Sequence, residues 1–500
     1  MSDAPLARWI ARAWALLIAS SALYFLADNE ADNDLWMHLF TGRLILSSGA
    51  APRVDGFSYT AAGMPWIDHE WLTQSAFAVV FATLGAPGLW LVKLAIGLAT
   101  VWLVWLQVRS HSVSIWACGA AMVVTIAAMA RGYAIRPQII TYLGVAALFT
   151  LLDRWTDAAR RPPTATLLAA TFLAFAVWAN SHGGFIVGIG IVVLFAATPA
   201  RFGGPSLPWP IRLGLPLAAI VGACVTPYGP ALFTYITAEL QAPHPLSEWQ
   251  PIQLAGHLPA LALMAIMAAT LKFGRLLRRR AWWAVALVAL AAMALRYQRN
   301  APLFAIAAAA PLADQLDGAL AHFAQRTRFR LSTVSVAVLA IALIALAAVQ
   351  LRTLAMQIGA ARGGIVYAAD EYPVGALQFV RAHALSGNLA VPLDWGGYAL
   401  WHVAPTVKVS LDGRFATVYP TDVIEDNFAF YSGAATGDTT ALLDRYDTTL
   451  ALVPHGLPTA LPYRVGWHLV YHDDVADLFA RHAGSGRADG ATERGWLQFP

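Results

Sequence analysis

Acidic and imidazole side chains gather in the stretch 27–72, directly after the first apolar run of the sequence. Asp34 and His38 are four residues apart, so they share one face of a helix, and Asp32 stands two positions earlier. A carboxylate here could take a proton from an incoming hydroxyl or amine as general base. It could also help to hold a divalent cation. Helix capping is the simpler alternative for either aspartate.

A second acidic motif, DHEW at 68–71, precedes a short apolar run at 73–84. Glu70 could support the first carboxylate, bind a metal ion or contact substrate hydroxyls, with His69 beside it. The alternative is an N-cap formed by Asp68, with first-turn acids that suit the helix dipole. The candidates are therefore ranked, with Asp34 leading and Asp32 and Glu70 supporting. Exposure and capping account for the other acids, namely Asp28, Glu30, Asp55 and Asp68.

Arginines suited to an anionic ligand occur in two later loops. These loops, ARGYAIRPQ at 130–138 and RYQRNAP at 296–302, contain Arg131, Arg136, Arg296, Arg299 and Asn300. A planar guanidinium donates two parallel hydrogen bonds and therefore suits phosphate. Snorkelling of the arginines to lipid headgroups is the alternative.

Other polar side chains interrupt apolar runs or follow strand-like pieces. They are Asn180 and His182 in WANSHGG, Tyr228 in TPYGP, Glu248 in LSEWQP, and Asp412 and Arg414 in LDGR. The first four could contact a sugar or lipid, although a simple turn explains the glycines of WANSHGG. Loops that follow strands bind ligands in α/β domains, so DWGGY and LDGR are candidate binding loops. Turn chemistry is the alternative for both.

The elements that position these residues are mostly apolar helices. Of the 500 residues, 58% are hydrophobic and 12% charged, against about 25% charged in an average soluble domain. About eleven runs approach the length that a spanning helix needs: 9–27, 88–108, 112–130, 138–153, 165–180, 184–200, 213–226, 258–272, 281–296, 301–316 and 331–350. The basic residues are scattered, which argues against a nucleic-acid partner. The two cysteines lie in apolar runs and are typical of buried small hydrophobes.

Charge asymmetry predicts the orientation of these spans. If run 73–84 is interfacial and does not cross, most loop lysines and arginines fall on the side of the N-terminus. The positive-inside rule then places the N-terminus in the cytoplasm and the chain after Gln350 outside. All the polar motifs above fall on the outer side. This clustering favours an active site that opens outward over a channel or carrier, whose polar residues would lie within the spans.

The composition changes near residue 362, where strand-like and helical pieces begin to alternate. The sequence thus predicts a membrane domain over 1–350, with juxtamembrane helices in the first outer loop at 27–87. It predicts a small extracytoplasmic α/β domain over 362–482. The polar, glycine-rich segment 483–500 is predicted to be a loose tail.

Taken together, the motifs resemble the GT-C glycosyltransferases, which include protein mannosyltransferases that use dolichyl-phosphate-mannose, aminoarabinose transferases and oligosaccharyltransferase catalytic subunits. The sequence is more similar still to bacterial membrane proteins described as glycosyltransferases. The resemblance covers almost the whole chain and rests on DNDLWMHLFTGRLI, PRVDGFSYTAAGMPWIDHEWL, RPQ, WANSHGGF, TPYG, EWQP, RNAPLFA, DWGGYALW and VSLDGR. It implies a mainly α, polytopic, GT-C-like fold in a bacterial inner (plasma) membrane.

The resemblance also implies an activity, namely inverting transfer of a hexose or pentose on the outer face of the membrane. The donor would be a polyprenyl-phosphate-linked sugar, and the acceptor a glycan, lipid or protein. The juxtamembrane aspartate of the family matches Asp34, with Asp32 as its competitor. DHEW replaces the His-Pro-Pro run of the mannosyltransferases, which leaves the acceptor and the cofactor open. Mg or Mn at Asp32, Asp34 and Glu70 is the candidate cofactor.

The implied mechanism assigns a role to the arginines and leaves two other functions as alternatives. Arg131, Arg136 and Arg299 would stabilise the departing lipid phosphate, because fixed charge near developing charge lowers the barrier. His38, His182 and Glu70 would line the sugar and acceptor site. The alternatives are a transporter or flippase of lipid-linked sugars and a non-enzymatic assembly protein of the cell envelope.

Overall fold

The structure, a computed structural model, describes residues 4–241, 246–327, 332–360, 364–432, 440–481, 488–489 and 496–499. Residue contacts divide the chain into two compact units. The first unit consists of Met1–Asp28, Trp90–Thr226 and Pro243–Gly363, and the second of Asn29–Leu89, Pro227–Ala242 and Gly364–Pro500. The first outer loop predicted from the sequence therefore groups with the C-terminal part of the chain, and not with the membrane helices.

The helices follow the predicted pattern closely. In chain order they are α1 (Ala4–Leu26), α2 (Asn33–Ser48), α3 (Trp71–His111), α4 (Ile115–Met129), α5 (Gln138–Thr156), α6 (Thr164–Ser181), α7 (Phe185–Ala197), α8 (Trp209–Ala223), α9 (Ala231–Gln241), α10 (Leu254–Thr270), α11 (Leu276–Arg279), α12 (Ala281–Arg296), α13 (Ala301–Thr327), α14 (Thr333–Ala360), α15 (Val374–Ala382), α16 (Leu393–Val403), α17 (Thr421–Tyr431) and α18 (Ala441–Asp444).

Apolar helices dominate the first unit. Within the described residues, eight helices are long and apolar enough to span a membrane, and α7, α8 and α12 are shorter apolar helices. α13 is the most buried of the eight. Its alanines from Ala305 to Ala310 are fully buried around Ile306, because small side chains let neighbouring helices approach closely. The prediction of a polytopic, mainly α chain is confirmed, while a count of eleven spans stays a prediction.

α3 contains the short run 73–84 that the sequence assigns to the interface. The helix is interrupted at Gly85, whose φ of 65° lies in the left-handed region, where glycine is favoured because it has no Cβ. Pro87 follows two residues later, and its missing N–H interrupts the helical hydrogen bonds. Run 73–84 is thus a separate helical segment from the long apolar one that follows it.

The second unit is built on a six-stranded sheet with the order β3-β2-β4-β6-β5-β7. β2 pairs in parallel with β3 and β4, while β4, β6 and β5 pair antiparallel. The strands are β1 (Val366–Ala368), β2 (Gly387–Ala390), β3 (Val407–Val409), β4 (Leu450–Pro454), β5 (Trp467–His472), β6 (Ala476–Arg481), β7 (Ala488–Asp489) and β8 (Trp496–Gln498). The sequence has five strand-like pieces in this region, at 388–391, 407–411, 449–453, 467–471 and 476–480. They correspond to β2–β6, so the small α/β domain forms as the sequence indicates.

Of the loose tail predicted over 483–500, positions 488–489 and 496–499 belong to the described residues, and they contain β7 and β8, while the remainder lies outside the described residues. β8 pairs antiparallel with β1, and Phe499 is 5% exposed. The Phe499 ring stacks on Trp36 of α2 at 4.1 Å between centroids, and Trp36 also contacts Tyr367 and Tyr398. A polar, glycine-rich sequence has much backbone freedom to lose when it becomes ordered. Burial of the aromatic cluster offsets this loss. The same cluster explains why α2 belongs to the second unit.

Candidate functional site

Asp34 lies in the first turn of α2, as the sequence predicts. The helix begins because the side chain of Asp32, in an extended conformation, accepts a hydrogen bond from the backbone N–H of Asp34 at 3.0 Å. Asp32 is therefore an N-cap, the simpler of its two alternatives. Leu35 and Trp36 are fully buried behind this turn, while Asp34 is half-buried. The cap and the buried face together fix the position of the Asp34 backbone.

The two glycine motifs of the C-terminal region pack around this turn. A Cβ added to Gly413 of LDGR would lie 2.7 Å from Oδ1 of Asp34, and one added to Gly397 of DWGGY would lie 3.3 Å from Cβ of Met37. A Cβ at Gly396 would lie 2.1 Å from the carbonyl oxygen of Leu411. The absence of side chains at these glycines lets LDGR, α16 and α2 approach one another. The prediction that DWGGY is a loop is wrong, because Asp394 to Tyr398 lie in the first turns of α16. Both glycine motifs nevertheless pack against the helix turn that carries Asp34.

Arg414 forms a buried ion cluster with two carboxylates. Its Nε and Nη2 donate to the two oxygens of Asp412 at 2.8 and 2.6 Å, and its Nη1 donates to Asp55 at 2.5 Å. The Arg414 side chain is 4% exposed and both acids are 0% exposed. Tyr419 donates to Asp412 at 2.5 Å, and the guanidinium lies 4.6 Å from the centroid of the Trp66 ring. This is the bidentate geometry in which arginine pairs most strongly with carboxylate.

The electrostatics of the cluster favour its charged form. Burial alone would raise the pKa of the Asp412 carboxyl, but the charge and hydrogen bonds of Arg414 hold that pKa below its ordinary value. The Arg414 guanidinium donates its hydrogen bonds to Asp412 and Asp55, and this geometry does not favour contact with a substrate. Direct substrate contact by Asp412 and Arg414 therefore stays a prediction. Exposure cannot account for Asp55, which is 2% exposed. It caps the turn at 55–58, accepting from Ser58, and it pairs with Arg414.

Three further candidates meet where α2 approaches the start of α3. Nδ1 of His38 lies 3.8 Å from a Glu70 oxygen, and Nε2 of His69 lies 3.7 Å from the other. Gln74 Nε2 is 3.3 Å from His38 Nδ1. Gly42 permits the contact, since a Cβ there would lie 2.1 Å from the carbonyl oxygen of Gln74. A divalent cation held by Asp32, Asp34 and Glu70 stays a prediction.

Asp68 is a buried carboxyl beside this group. It is 4% exposed, and its Oδ1 accepts the backbone N–H of Glu70 at 3.3 Å, which is the predicted capping role. Burial raises the pKa of Asp68 to about 7, although the Glu70 N–H and the charge of Arg414 act in the opposite direction. A carboxyl that titrates near neutrality is typical of acid–base sites. Sequence reasoning attributed Asp68 to capping alone, because burial is invisible in the local pattern.

In the first unit, arginines from two predicted loops converge on one carboxylate. Glu248 lies 3.1 Å from Nη1 of Arg136 and 3.0 Å from Nη1 of Arg299. The Arg299 guanidinium also lies 4.3 Å from the centroid of the Trp249 ring. All three charged side chains are between 21% and 32% exposed. The triad carries two positive charges and one negative charge, and all three of its side chains are partly exposed.

The other two arginines of these loops have different neighbours. Arg131 packs on α10, where a Cβ at Gly256 would overlap its guanidinium. Arg296 lies 5.3 Å from the centroid of the Tyr297 ring, and Asn300 donates to the carbonyl of Met293 at 3.5 Å. The structure therefore brings together Arg136, Arg299 and Glu248 out of the set that the sequence proposes as anion or lipid contacts.

The WANSHGG motif forms a hydrogen-bonded connection between α6 and α7. Trp178 donates to Thr141 Oγ1 at 2.9 Å, and Thr141 Oγ1 lies 2.8 Å from His182 Nδ1. The N–H of Gly184 also donates to His182 Nδ1 at 2.9 Å, which makes this ring nitrogen an acceptor. Asn180 donates to the carbonyl of Val225 at 2.7 Å. These contacts explain why Trp178, Asn180 and His182 occur together, which a simple turn does not.

Tyr228 lies in the second unit, where its hydroxyl donates to the carbonyl oxygen of Pro52 at 2.7 Å. Arg53 of the same loop donates to the carbonyl of Pro227 at 2.7 Å. TPYGP is thus tied to the first outer loop. Its role in contacting a sugar or lipid stays a prediction.

Comparison with solved structures identifies the fold. The crystal structure of the apo oligosaccharyltransferase from Archaeoglobus fulgidus matches 96% of this chain and 75% of that chain, with a TM-score of 0.58 and 14% identity. The chain has the GT-C fold. ArnT from Cupriavidus metallidurans, bound to undecaprenyl phosphate in its crystal structure, matches 97% of this chain and 99% of that chain at 13% identity and a TM-score of 0.46. Neither a protein-family model nor a curated protein sequence matches the chain.

The comparison confirms the GT-C-like fold that the sequence motifs indicate. The structure adds side chains that those motifs did not single out. Gln74 and Tyr419 contact His38 and Asp412, respectively. For Asp55 the sequence did contain a signal, since Asp followed three residues later by Ser is typical of a side-chain-capped turn. The local sequence around Gln74 and Tyr419 contains no such signal, because their partners, His38 and Asp412, lie on other elements of the fold.

Proposed function

We propose that this protein is an inverting membrane glycosyltransferase that moves a hexose or pentose from a polyprenyl-phosphate donor to an acceptor on the outer face of the membrane. The observation that carries the proposal is the placement of Asp34. Its backbone is fixed by the Asp32 cap, and its carboxylate packs against Gly413. The backbone amides of a helix N-terminus favour negative charge, and a general base needs its ionised form.

The proposed reaction is a single displacement. The acceptor hydroxyl or amine attacks the anomeric carbon, and its proton passes to the Asp34 carboxylate. The bond between the anomeric carbon and the phosphate oxygen breaks, and the lipid phosphate leaves with the electron pair. His38 and Glu70, which lie 3.8 Å apart, would contact the sugar or the acceptor.

The arginines of the first unit take a separate role in the proposal. Arg136 and Arg299 would bind the phosphate of the lipid donor and stabilise the negative charge that it gains as it leaves. Their support is the convergence of two guanidinium groups on Glu248 within about 3 Å.

The test is transfer of a labelled sugar in membranes that contain the protein. Polyprenyl-phosphate donors with a labelled hexose or pentose are supplied, and label leaving the lipid fraction is measured. Asp34→Asn keeps the side-chain shape and removes the base, so we expect transfer to fall by about 100-fold or more. Asp422→Asn, at an exposed position of α17, is the matched control.

Two outcomes would overturn the proposal. Transfer that persists in Asp34→Asn would exclude Asp34 as the base. Label that crosses the membrane but stays attached to its lipid would instead indicate the flippase alternative, since a flippase breaks no glycosidic bond.

A further inference from the structure

Three potential metal ligands meet at the edge of the six-stranded sheet where β4 and β5 end. Asp477 lies on β6, and His472, the last residue of β5, is its direct cross-strand partner. On the other side of β6, Val453 of β4 is the partner of Asp477, and His455 follows the end of β4. Directly opposed residues have their β-carbons about 5 Å apart. The strand register therefore brings the two imidazoles to the same carboxylate.

The distances between the ligand atoms suit a small metal site. Nδ1 of His472 lies 2.6 Å from Oδ1 of Asp477, and Nδ1 of His455 lies 3.4 Å from the same oxygen. All three residues offer ligand atoms within 4.8 Å of one another. Zinc bonds to nitrogen and oxygen of about 2.0–2.1 Å give tetrahedral ligand–ligand edges of about 3.3 Å. The separation between His455 Nδ1 and Asp477 Oδ1 already has about this length. A small rotation of the His472 ring would lengthen its distance to the same oxygen to a similar value.

The backbone that holds these ligands is fixed by hydrogen bonds. The N–H of His455 donates to the carbonyl of Val475 at 2.8 Å, which ties the end of β4 to the β5–β6 turn. Asp473 caps that turn, accepting from the N–H groups of Val475 and Ala476 at 2.8 Å and from the hydroxyl of Tyr471 at 2.8 Å. Asp473 is thus occupied in the turn, and Asp477 is the acid that faces both imidazoles.

The types of donor atom in this group of residues indicate which metal it would bind. We propose that His455, His472 and Asp477 form a binding site for Zn²⁺. Two imidazoles and one carboxylate are donors that zinc accepts readily, and three protein ligands leave a fourth position for water. The side chains of His455, His472 and Asp477 are 43%, 28% and 21% exposed, so an ion can enter from solvent. The zinc proposal does not depend on the proposed sugar transfer.

The test uses the full-length protein in detergent, purified without a polyhistidine tag and stripped with a chelator. Zinc binding is measured by competition with a chromophoric zinc chelator and by metal content after gel filtration. The sequence contains 13 histidines, so the comparison is made between variants. We expect His472→Ala and Asp477→Asn each to weaken the tightest zinc site by about 100-fold. His468→Ala removes an exposed histidine of the same strand and should leave that site unchanged.

A second measurement tests ligation directly. Cobalt(II) bound at the same site should show visible ligand-field absorption in the wild type and in His468→Ala, and lose it in Asp477→Asn. Asp477→Asn is nearly isosteric, so it remains informative if His472→Ala fails to fold. The proposal is overturned if Asp477→Asn elutes as the wild type does and binds zinc equally well. Equal loss of zinc in His468→Ala would overturn it too, since binding would then be non-specific.

Discussion

Gly413 is packed against the carboxylate of Asp34. A Cβ at position 413 would lie 2.7 Å from Oδ1 of Asp34, closer than two non-bonded heavy atoms of this kind can approach. The glycine of LDGR therefore determines the room in which the Asp34 side chain lies. The relationship links a turn of the C-terminal region to a helix more than three hundred residues earlier in the chain.

Gly413→Ala should lower sugar transfer with little loss of stability. The obstructing atom belongs to the end of a rotatable side chain, so the Asp34 carboxylate can move aside at small energetic cost. A misplacement of about 1 Å is enough to reduce a rate by about 100-fold. Transfer is measured in membranes, and stability is followed by thermal unfolding of the purified protein.

The matched control is Gly56→Ala, since a Cβ at Gly56 meets nothing within 4 Å and position 56 belongs to the same unit. Equal transfer rates in the two variants would show that the contact between Gly413 and Asp34 does not affect sugar transfer.

Arg414→Met should destabilise the second unit strongly. The substitution leaves the carboxylates of Asp55 and Asp412 buried without their cation, and removal of one partner of a buried ion pair costs about 3–5 kcal/mol. Limited proteolysis and the thermal unfolding midpoint report the change. Arg445→Met removes a comparable pair with Asp426, in which the arginine side chain is 58% exposed, and should cost less than about 1 kcal/mol. Similar losses in the two variants would contradict a special role for the buried cluster.

Asp68→Asn should flatten the pH dependence of stability. The pKa of Asp68 is raised from 3.8 to about 7, so between these values the folded chain holds a proton that the unfolded chain releases. Stability therefore falls as the pH rises through this window, by about 4 kcal/mol at most. Asparagine cannot ionise but still accepts the Glu70 N–H, so the variant should gain stability relative to the wild type at pH 8 and not at pH 4.

Unfolding midpoints across this pH range give the comparison for Asp68, with Asp422→Asn as the exposed control. Parallel curves for the wild type and Asp68→Asn would mean that folding does not raise the pKa of Asp68.

Arg136→Gln and Arg299→Gln should each raise the KM for the lipid donor by about 10- to 100-fold. Each substitution removes a charge-assisted hydrogen bond to the phosphate, which is worth about 1.5–3 kcal/mol. Glu248→Gln should lower the KM, because it removes the negative charge that competes with the phosphate for both guanidinium groups. The control is Arg201→Gln, at an exposed arginine in the α7–α8 connection.

A donor KM that is unchanged in both arginine variants would favour the snorkelling alternative. A higher KM in Glu248→Gln would show instead that Glu248 serves mainly to orient the two arginines.

Local features of this protein were readable from the sequence because they depend on neighbours in the chain. The spacing of Asp32, Asp34 and His38 predicts a capped helix with its acid in the first turn, and α2 has that form. Apolar runs predict the helices of the first unit, and strand-like pieces predict β2–β6, because side-chain periodicity follows backbone geometry. The motifs also indicated the GT-C fold.

Long-range contacts were decided only by the tertiary structure. The pair between Asp55 and Arg414 spans 359 positions, and neither local sequence distinguishes a buried charge from an exposed turn. β8 is ordered by pairing with β1 and by the packing of Phe499 on Trp36, although its own composition predicts a loose tail. Burial and desolvation are properties of the assembled fold. The sequence therefore determined which groups could act, and the fold determined which of them are held by a buried partner.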